Sequence, residues 1–233
     1  MFSVVISTLN NEATLVEVLA ALVPASAEGV VREVIVVDEG SCDLTETIAD
    51  AAGCRWVNAS GQRGARLAAG ATAARRGDWL LFLEPDMVLD PDWFREVSKF
   101  VERVERIGKG DCRAACFRPA NEDTGFRARI SEVGVWMRAR VLAIAHPRQG
   151  LLLSRRFYET LQGHDRASPL ADAEIVRRIG RRRMTHLPVR AVRRHVPETG
   201  GGRSVLRGWL AIALFFLRVP GAVIGRVVGP SAH

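Results

Sequence analysis

Gly77-Asp78-Trp79-Leu80-Leu81-Phe82-Leu83-Glu84-Pro85-Asp86 decides how the chain is read. The apolar run from Trp79 to Leu83, bounded by Gly77 and by a Glu-Pro-Asp triplet, spells a strand buried on both faces, the kind found inside a parallel sheet. Pro85 has no N–H for a ladder, so pairing should stop there. Glu84 and Asp86 then lie just beyond the strand's carboxyl end, where an open α/β sheet presents its ligands. Carboxylate oxygens in that place suit Mg²⁺ or Mn²⁺ bridging a diphosphate. The alternative is a plain acidic strand-to-helix loop in which Asp90 or Asp92 caps the next helix.

Upstream, residues 2–8 (FSVVIST) form a β-branched apolar run that stops at Asn10-Asn11-Glu12. Leu15, Val18, Leu19 and Leu22 then repeat at helical spacing as far as Pro24. Residues 34–37 (VIVV) are a second buried strand, ended by Asp38-Glu39-Gly40-Ser41-Cys42-Asp43, with Asp43 placed to cap a helix over 44–52 that Gly53 closes. A short strand at 55–57 and the glycine-rich segment Gly61-Gln62-Arg63-Gly64-Ala65-Arg66 precede an alanine-rich helix over 67–75. This alternation predicts an α/β fold with a mostly parallel sheet and helices on both faces. Polar strand ends converge on one edge of such a sheet, so Asp38, Glu84 and Asp86 should line a single crevice.

A chain of 233 residues can bury one good core, and its net charge of +7 suits an anionic partner such as a nucleotide or a lipid headgroup. Lys99 and Lys109 are the only lysines among 33 basic residues. No nucleic-acid motif is present, and aromatics, at 6%, are too sparse to alternate with the arginines as stacking platforms, so a nucleic-acid partner is not expected. Cys42, Cys54, Cys112 and Cys116 show no paired CxxC spacing; Cys112 and Cys116 could share a helix face, a weak metal signal. The N-terminus enters a strand pattern without the basic start and cleavage site of a signal peptide. Free thiols in the cytoplasm are therefore expected.

Together, Val-Val-Ile-Ser-Thr-Leu-Asn-Asn-Glu, Val-Ile-Val-Val-Asp-Glu-Gly-Ser-Cys-Asp, Arg-Gly-Ala-Arg and the opening stretch resemble, in order and spacing, the family 2 glycosyltransferases with the GT-A fold. The resemblance is close over roughly the first hundred residues and looser to about His195. It implies a GT-A domain over 1–199 that moves a sugar from a nucleoside diphosphate-sugar, a UDP- or GDP-sugar, to an acceptor hydroxyl with inversion and with Mn²⁺ or Mg²⁺. It further implies that Asp38 contacts the base or ribose, that Ser7, Thr8, Leu9 and Asn10 close around the base, and that Arg63 and Arg66 approach the diphosphate, where guanidinium forks bind phosphate oxygens. Asp86 takes the place of the family's last metal-binding carboxylate and Glu84 that of its first, where the usual pair is Asp-x-Asp.

The segment His146 to Tyr158 resembles the strand before the acceptor side, and Leu170-Ala171-Asp172-Ala173-Glu174 the family's Glu-Asp-x-Glu-Leu helix start, with Ala171 where relatives often carry Glu. Asp172 matches the proposed base, and His195 the histidine that completes the metal site in some GT-A enzymes. Two structural roles compete: Asp172 as a helix cap, and Glu174 paired with Arg178. Two rival functions keep the fold: a sugar-nucleotide-binding or scaffold protein without turnover, to which Glu84 and Ala171 point, and a nucleotidyltransferase.

After Gly200-Gly201-Gly202 the tail over 200–233 is apolar but broken by Arg207, Arg218, Pro220, Gly221 and Arg226. No uninterrupted run reaches the roughly 20 apolar residues of a spanning helix. Trp209, Phe215 and Phe216 with flanking arginines fit an interfacial helix at the inner face of a membrane, which would suit a lipid-linked acceptor, or a helix docked on the core or in a dimer.

Overall fold

The computed structural model describes residues 1–121, 150–168 and 170–194. His195, the 126–144 stretch, whose amphipathic sequence pattern suggests helix, and the apolar tail lie outside them. The strands are β1 (Phe2–Thr8), β2 (Val31–Asp38), β3 (Arg55–Asn58), β4 (Trp79–Leu83), β5 (Met87–Leu89), β6 (Ala114–Asn121), β7 (Leu151–Ser154) and β8 (Met184–Arg193). The helices are α1 (Glu12–Ala27), α2 (Thr45–Ala51), α3 (Arg63–Ala73), α4 (Trp93–Arg106), α5 (Arg155–Thr160) and α6 (Ala171–Ile179). One sheet joins the strands in the order β3-β2-β1-β4-β7-β6-β8-β5.

The half formed by β3, β2, β1 and β4 is wholly parallel. Beyond it β7 runs antiparallel to both β4 and β6, β6 and β8 are parallel, and β5 closes the edge antiparallel to β8. Strand β4 sits in the middle because its side chains feed two cores. Trp79, Leu81 and Leu83 pack with Leu15, Leu19, Phe94 and Val97 under α1 and α4. Leu80 and Phe82 pack with Leu67, Phe157 and Ile175 under α3, α5 and α6. All five are buried, and each side chain of this size contributes about 1.5–3 kcal/mol by leaving water. Pro85 ends the ladder as its missing N–H requires, and the chain swings away from β1 to pair β5 with β8.

Four local expectations are corrected. Helix α1 does not stop at Pro24 but runs one turn further, because the missing N–H removes a single bond while Ala25 behind it is fully buried. Helix α3 begins at Arg63, so the segment read as a glycine-rich loop is its first turn. Cys112 ends a 3₁₀ turn while Cys116 is buried in β6, so the two do not share a helix face; all four cysteines are free. Neither acid caps α4: Asp92 at the cap position has φ +61° and makes no capping bond, and the Asp90 carboxylate accepts from the Arg190 N–H.

Gly64 explains the early start of α3. A Cβ there would lie 1.9 Å from the Asp165 carbonyl oxygen and 2.6 Å from Ala171 Cβ, so the loop before α6 rests directly on α3. Gly64→Ala is expected to cost about 1–3 kcal/mol as the overpacked contact moves backbone, a loss readable as a Tm lowered by several degrees. An unchanged Tm would mean that the two elements do not touch.

Candidate functional site

The carboxyl ends of β1, β2 and β4 and the amino ends of α3 and α6 meet at one edge of the sheet. Ser7 and Thr8 end β1 and Asp38 ends β2. Asp38 is 1% exposed, and its carboxylate is saturated: Oδ2 accepts from the Gly40 and Ser41 N–H groups at 2.7 and 2.6 Å, and Oδ1 from the Thr8 and Ser41 hydroxyls at 2.9 and 2.5 Å. Burial alone would raise its pKa, but these bonds outweigh burial and hold the carboxyl below its usual range.

The loops after β1 and β2 are laced together by side chains. Asn10, held at φ +52°, gives its N–H to Ser41 Oγ and accepts the Cys42 N–H. Asn11 N–H reaches Thr45 Oγ1, and the Asp43 carboxylate takes the Glu12 N–H and the Thr45 N–H, serving the starts of both α1 and α2. The Leu9 N–H goes to Asn11 Oδ1. Residues 7–10 thus form a pre-shaped rim beside Asp38.

Arg66, 5% exposed, donates Nε to Ser7 Oγ at 2.9 Å and Nη1 to the Gly61 carbonyl at 2.8 Å, and pairs with Glu39. One turn earlier Arg63 spans the crevice. Its Nη2 meets Glu84 Oε1 at 2.5 Å and its Nε meets Asp172 Oδ2 at 2.6 Å, so one guanidinium joins the end of β4 to the start of α6. Burial works against the Arg63 charge, but the Glu84 and Asp172 carboxylates outweigh it and hold the guanidinium charged. Asp86 faces the other side, its Oδ2 2.5 Å from Arg193 Nε and its carbonyl accepting the Arg194 N–H at 2.9 Å.

Neither structural role read for the α6 start occurs. Asp172 lies inside the first turn with its carboxylate on Arg63, Glu174 accepts from Ser168 Oγ, and Arg178 instead binds the carbonyls of Leu161 and Gly163. Of the residues read from the sequence, Ser7, Thr8, Asp38, Arg63, Arg66, Glu84, Asp86 and Asp172 therefore share one edge, with Leu9 and Asn10 in its rim. Three residues escaped that reading. Glu39 and Arg193 serve as counter-ions to Arg66 and Asp86, and a loop histidine, His164, is buried against Asp172 with Nε2 3.7 Å from Oδ1. The only available signal for His164 was its position in the loop before Asp172.

Glu84 and Asp86 supply hard carboxylate oxygens, the donor type that Mg²⁺ and Mn²⁺ select. Among the described residues no cluster of three or more His, Cys, Asp and Glu side chains is assembled. That fits an ion held by one or two carboxylates and completed by substrate phosphates, the usual arrangement for Mg²⁺. Arg63 and Arg193 balance the carboxylates and would have to yield as the ion enters. Among the described residues, no helix is long and apolar enough to cross a membrane.

Several solved structures share the fold. Glucosyl-3-phosphoglycerate synthase from Mycobacterium tuberculosis, in complex with Mn²⁺, UDP and glucosyl-3-phosphoglycerate, matches 94% of this chain and 81% of its own at a TM-score of 0.64 and 22% identity. The same enzyme with Mn²⁺ and UDP-glucose matches 94% of this chain and 80% of its own at a TM-score of 0.64 and 23% identity. A further mycobacterial protein covers 94% of this chain and 76% of its own at a TM-score of 0.63 and 22% identity. No curated protein matches the chain. The model of glycosyl transferase family 2 matches residues 3–183, which include Ser7, Asp38, Arg63, Arg66, Glu84, Asp86, His164 and Asp172 but not Arg193. The chain belongs to glycosyl transferase family 2.

Proposed function

We propose that this chain transfers a sugar from a nucleoside diphosphate-sugar, with a UDP-sugar as the first candidate, to an acceptor hydroxyl with inversion at the anomeric carbon. The observation that carries this reading is the double engagement of Arg63, a guanidinium of the kind suited to phosphate oxygens, with Glu84 and Asp172. A donor whose diphosphate draws on Arg63 and Arg66 is thereby set with its sugar towards Asp172. Solved structures of glucosyl-3-phosphoglycerate synthase add support for the donor class, since several contain UDP or UDP-glucose with Mn²⁺ or Mg²⁺.

In the step itself, the acceptor oxygen forms a bond to the anomeric carbon as the bond from that carbon to the phosphate oxygen breaks. The electron pair of the broken bond stays on the nucleoside diphosphate. The acceptor's proton passes to the Asp172 carboxylate, which later returns it to water. Arg63 and Arg66 stabilise the charge that develops on the departing diphosphate, where charge-assisted bonds to guanidinium are strongest. A divalent ion bound by Glu84 and Asp86 would add Lewis-acid charge at the same oxygens. The 7–10 rim, whose shape the internally bonded Asp38 carboxylate helps to fix, holds the nucleoside.

A thermal-shift titration with UDP, GDP, CDP and dTDP, each with and without Mn²⁺, tests this on the intact protein and on Asp86→Ala. A nucleotide at 100 times its Kd stabilises by about 2.7 kcal/mol, a shift of several degrees in a chain of this size. A Mn²⁺-dependent shift with UDP that Asp86→Ala abolishes is expected. No shift with any nucleotide would sink the donor-site reading.

A further inference from the structure

His164 is a buried ionisable side chain at this edge that the transfer step leaves without a task. Its side chain is 0% exposed, packed edge-on against Phe82 with ring centroids 4.8 Å apart and beside Tyr158. Tyr158 Oη accepts the His164 backbone N–H at 3.1 Å and lies 3.0 Å from Nδ1. Nε2 faces the Asp172 carboxylate, so the ring's own proton sits there rather than leave two acceptors opposed, and the Tyr158 hydroxyl gives its proton to Nδ1. That Nε2–H has no hydrogen-bond partner in the described residues. It points at Asp172 Oδ1, 3.7 Å away and too far for a bond, because the other Asp172 oxygen is held by Arg63.

The histidine cannot close the gap itself. Gly163, at φ +62°, brings the backbone so near the Tyr158 ring that a Cβ would lie 2.9 Å from it, and Arg178 fixes the Gly163 carbonyl at 2.7 Å. Asp172 can: a movement of roughly 1 Å brings Oδ1 within bonding range. Burial presses the imidazole towards its neutral form, with a pKa lowered to about 4; nearby Arg63 and Arg178 act in the same sense and Asp172 against them. His164 is therefore a neutral donor at working pH.

We infer that His164 is a positioning residue for Asp172: when an anionic donor draws Arg63 away, the Nε2–H takes the carboxylate over and holds it, ionised, on the acceptor side. The inference rests on the family 2 transfer reading for its purpose, but the contact itself can be tested without a donor. Arg63 faces Asp172 from α3, His164 from the loop, and Glu84 lies across Arg63.

Two arms decide it on the full chain. In the first, the Nε2–H proton resonance of His164 is followed by NMR in the unmodified protein, in Arg63→Ala and in Arg63→Ala/Asp172→Asn. A downfield move in Arg63→Ala, reversed in the double variant, is expected; no move overturns the inference whatever the enzyme does. The second arm is UDP-glucose hydrolysis with Mn²⁺. His164→Phe, which keeps a ring on Phe82, should lower kcat by about 10- to 100-fold with KM unchanged, as a displaced catalytic group does. His164→Gln, which restores an N–H, should bring kcat back. A fall in kcat accompanied by loss of Tm and of UDP binding in His164→Phe would make the residue merely structural and overturn the inference. If the unmodified protein neither binds UDP nor hydrolyses UDP-glucose, the uridine-donor reading fails, and the NMR arm alone decides the contact.

Discussion

Asp172→Asn is expected to reduce donor turnover by about 10²–10⁴-fold, the range a positioned general base supplies, while folding and nucleotide binding persist. Asparagine matches aspartate in shape and still offers Arg63 a carbonyl oxygen, so the bridge from α3 to α6 keeps one accepting atom. Glu84 remains as counter-ion, at 2.5 Å, so the guanidinium is not stranded. What the amide cannot do is take the acceptor's proton. Release of UDP from UDP-glucose, measured beside the UDP thermal shift, separates the outcomes. Lost turnover with a retained shift assigns Asp172 as the base, loss of both indicates damage to the fold, and full turnover removes Asp172 from the mechanism. Lost turnover with retained binding also counts against a scaffold without activity, because the unmodified protein must then turn over.

Arg63→Ala is expected to cost about 3 kcal/mol of stability, since removing one partner of a largely buried ion pair leaves the others uncompensated. Here Glu84 and Asp172, with side chains only 15% and 14% exposed, would both lose the guanidinium, and the neutral His164 ring beside Asp172 replaces no charge. In a chain of this length the Tm should fall by roughly 6–12 °C. Two further consequences distinguish a ligand-binding arginine from a structural one. Affinity for UDP should drop by about 10- to 100-fold, the value of one or two charge-assisted bonds. Mn²⁺ should recover more stability in the variant than in the unmodified protein, because the Glu84 carboxylate is released for it. Arg63→Lys should rescue only partly, since a point ammonium cannot divide itself between two carboxylates as Nε and Nη2 do. Unchanged stability and unchanged UDP affinity in Arg63→Ala would remove the residue from the site.

How far the sequence reads into this structure depends on whether the forces are local. Strand β4 was legible residue for residue, because an apolar run ended by Pro85 carries its own beginning and end. The edge shared by Asp38, Glu84 and Asp86 followed from the alternation of strands and helices, a rule about connections rather than contacts. The start of α3 was not legible: glycines at 61 and 64 look like loop until one sees that Gly64 is small for the sake of the Asp165 carbonyl. Nor was the antiparallel course of β7, whose apolar residues 151–153 look the same read in either direction along the sheet. The pairing of Asp86 with Arg193 spans 107 positions and has no local trace. His164 was hidden for a related reason, since an isolated histidine acquires meaning only from the Tyr158 hydroxyl on one side and the Asp172 carboxylate on the other.

The seat of the Asp165 carbonyl and the Ala171 methyl on Gly64 bears on how such an enzyme can be re-engineered. In the proposed function donor handling falls to α3 and acid–base chemistry to α6, and at Gly64 the two are in close contact with only the Ala171 methyl between them to absorb a mismatch. They are not interchangeable cassettes. A chimera that imports an acceptor loop from a relative will set the height of α3, and with it the reach of Arg63. Donor preference and acceptor preference should therefore drift together in directed evolution, and successful loop grafts should carry compensating changes on the first turn of α3.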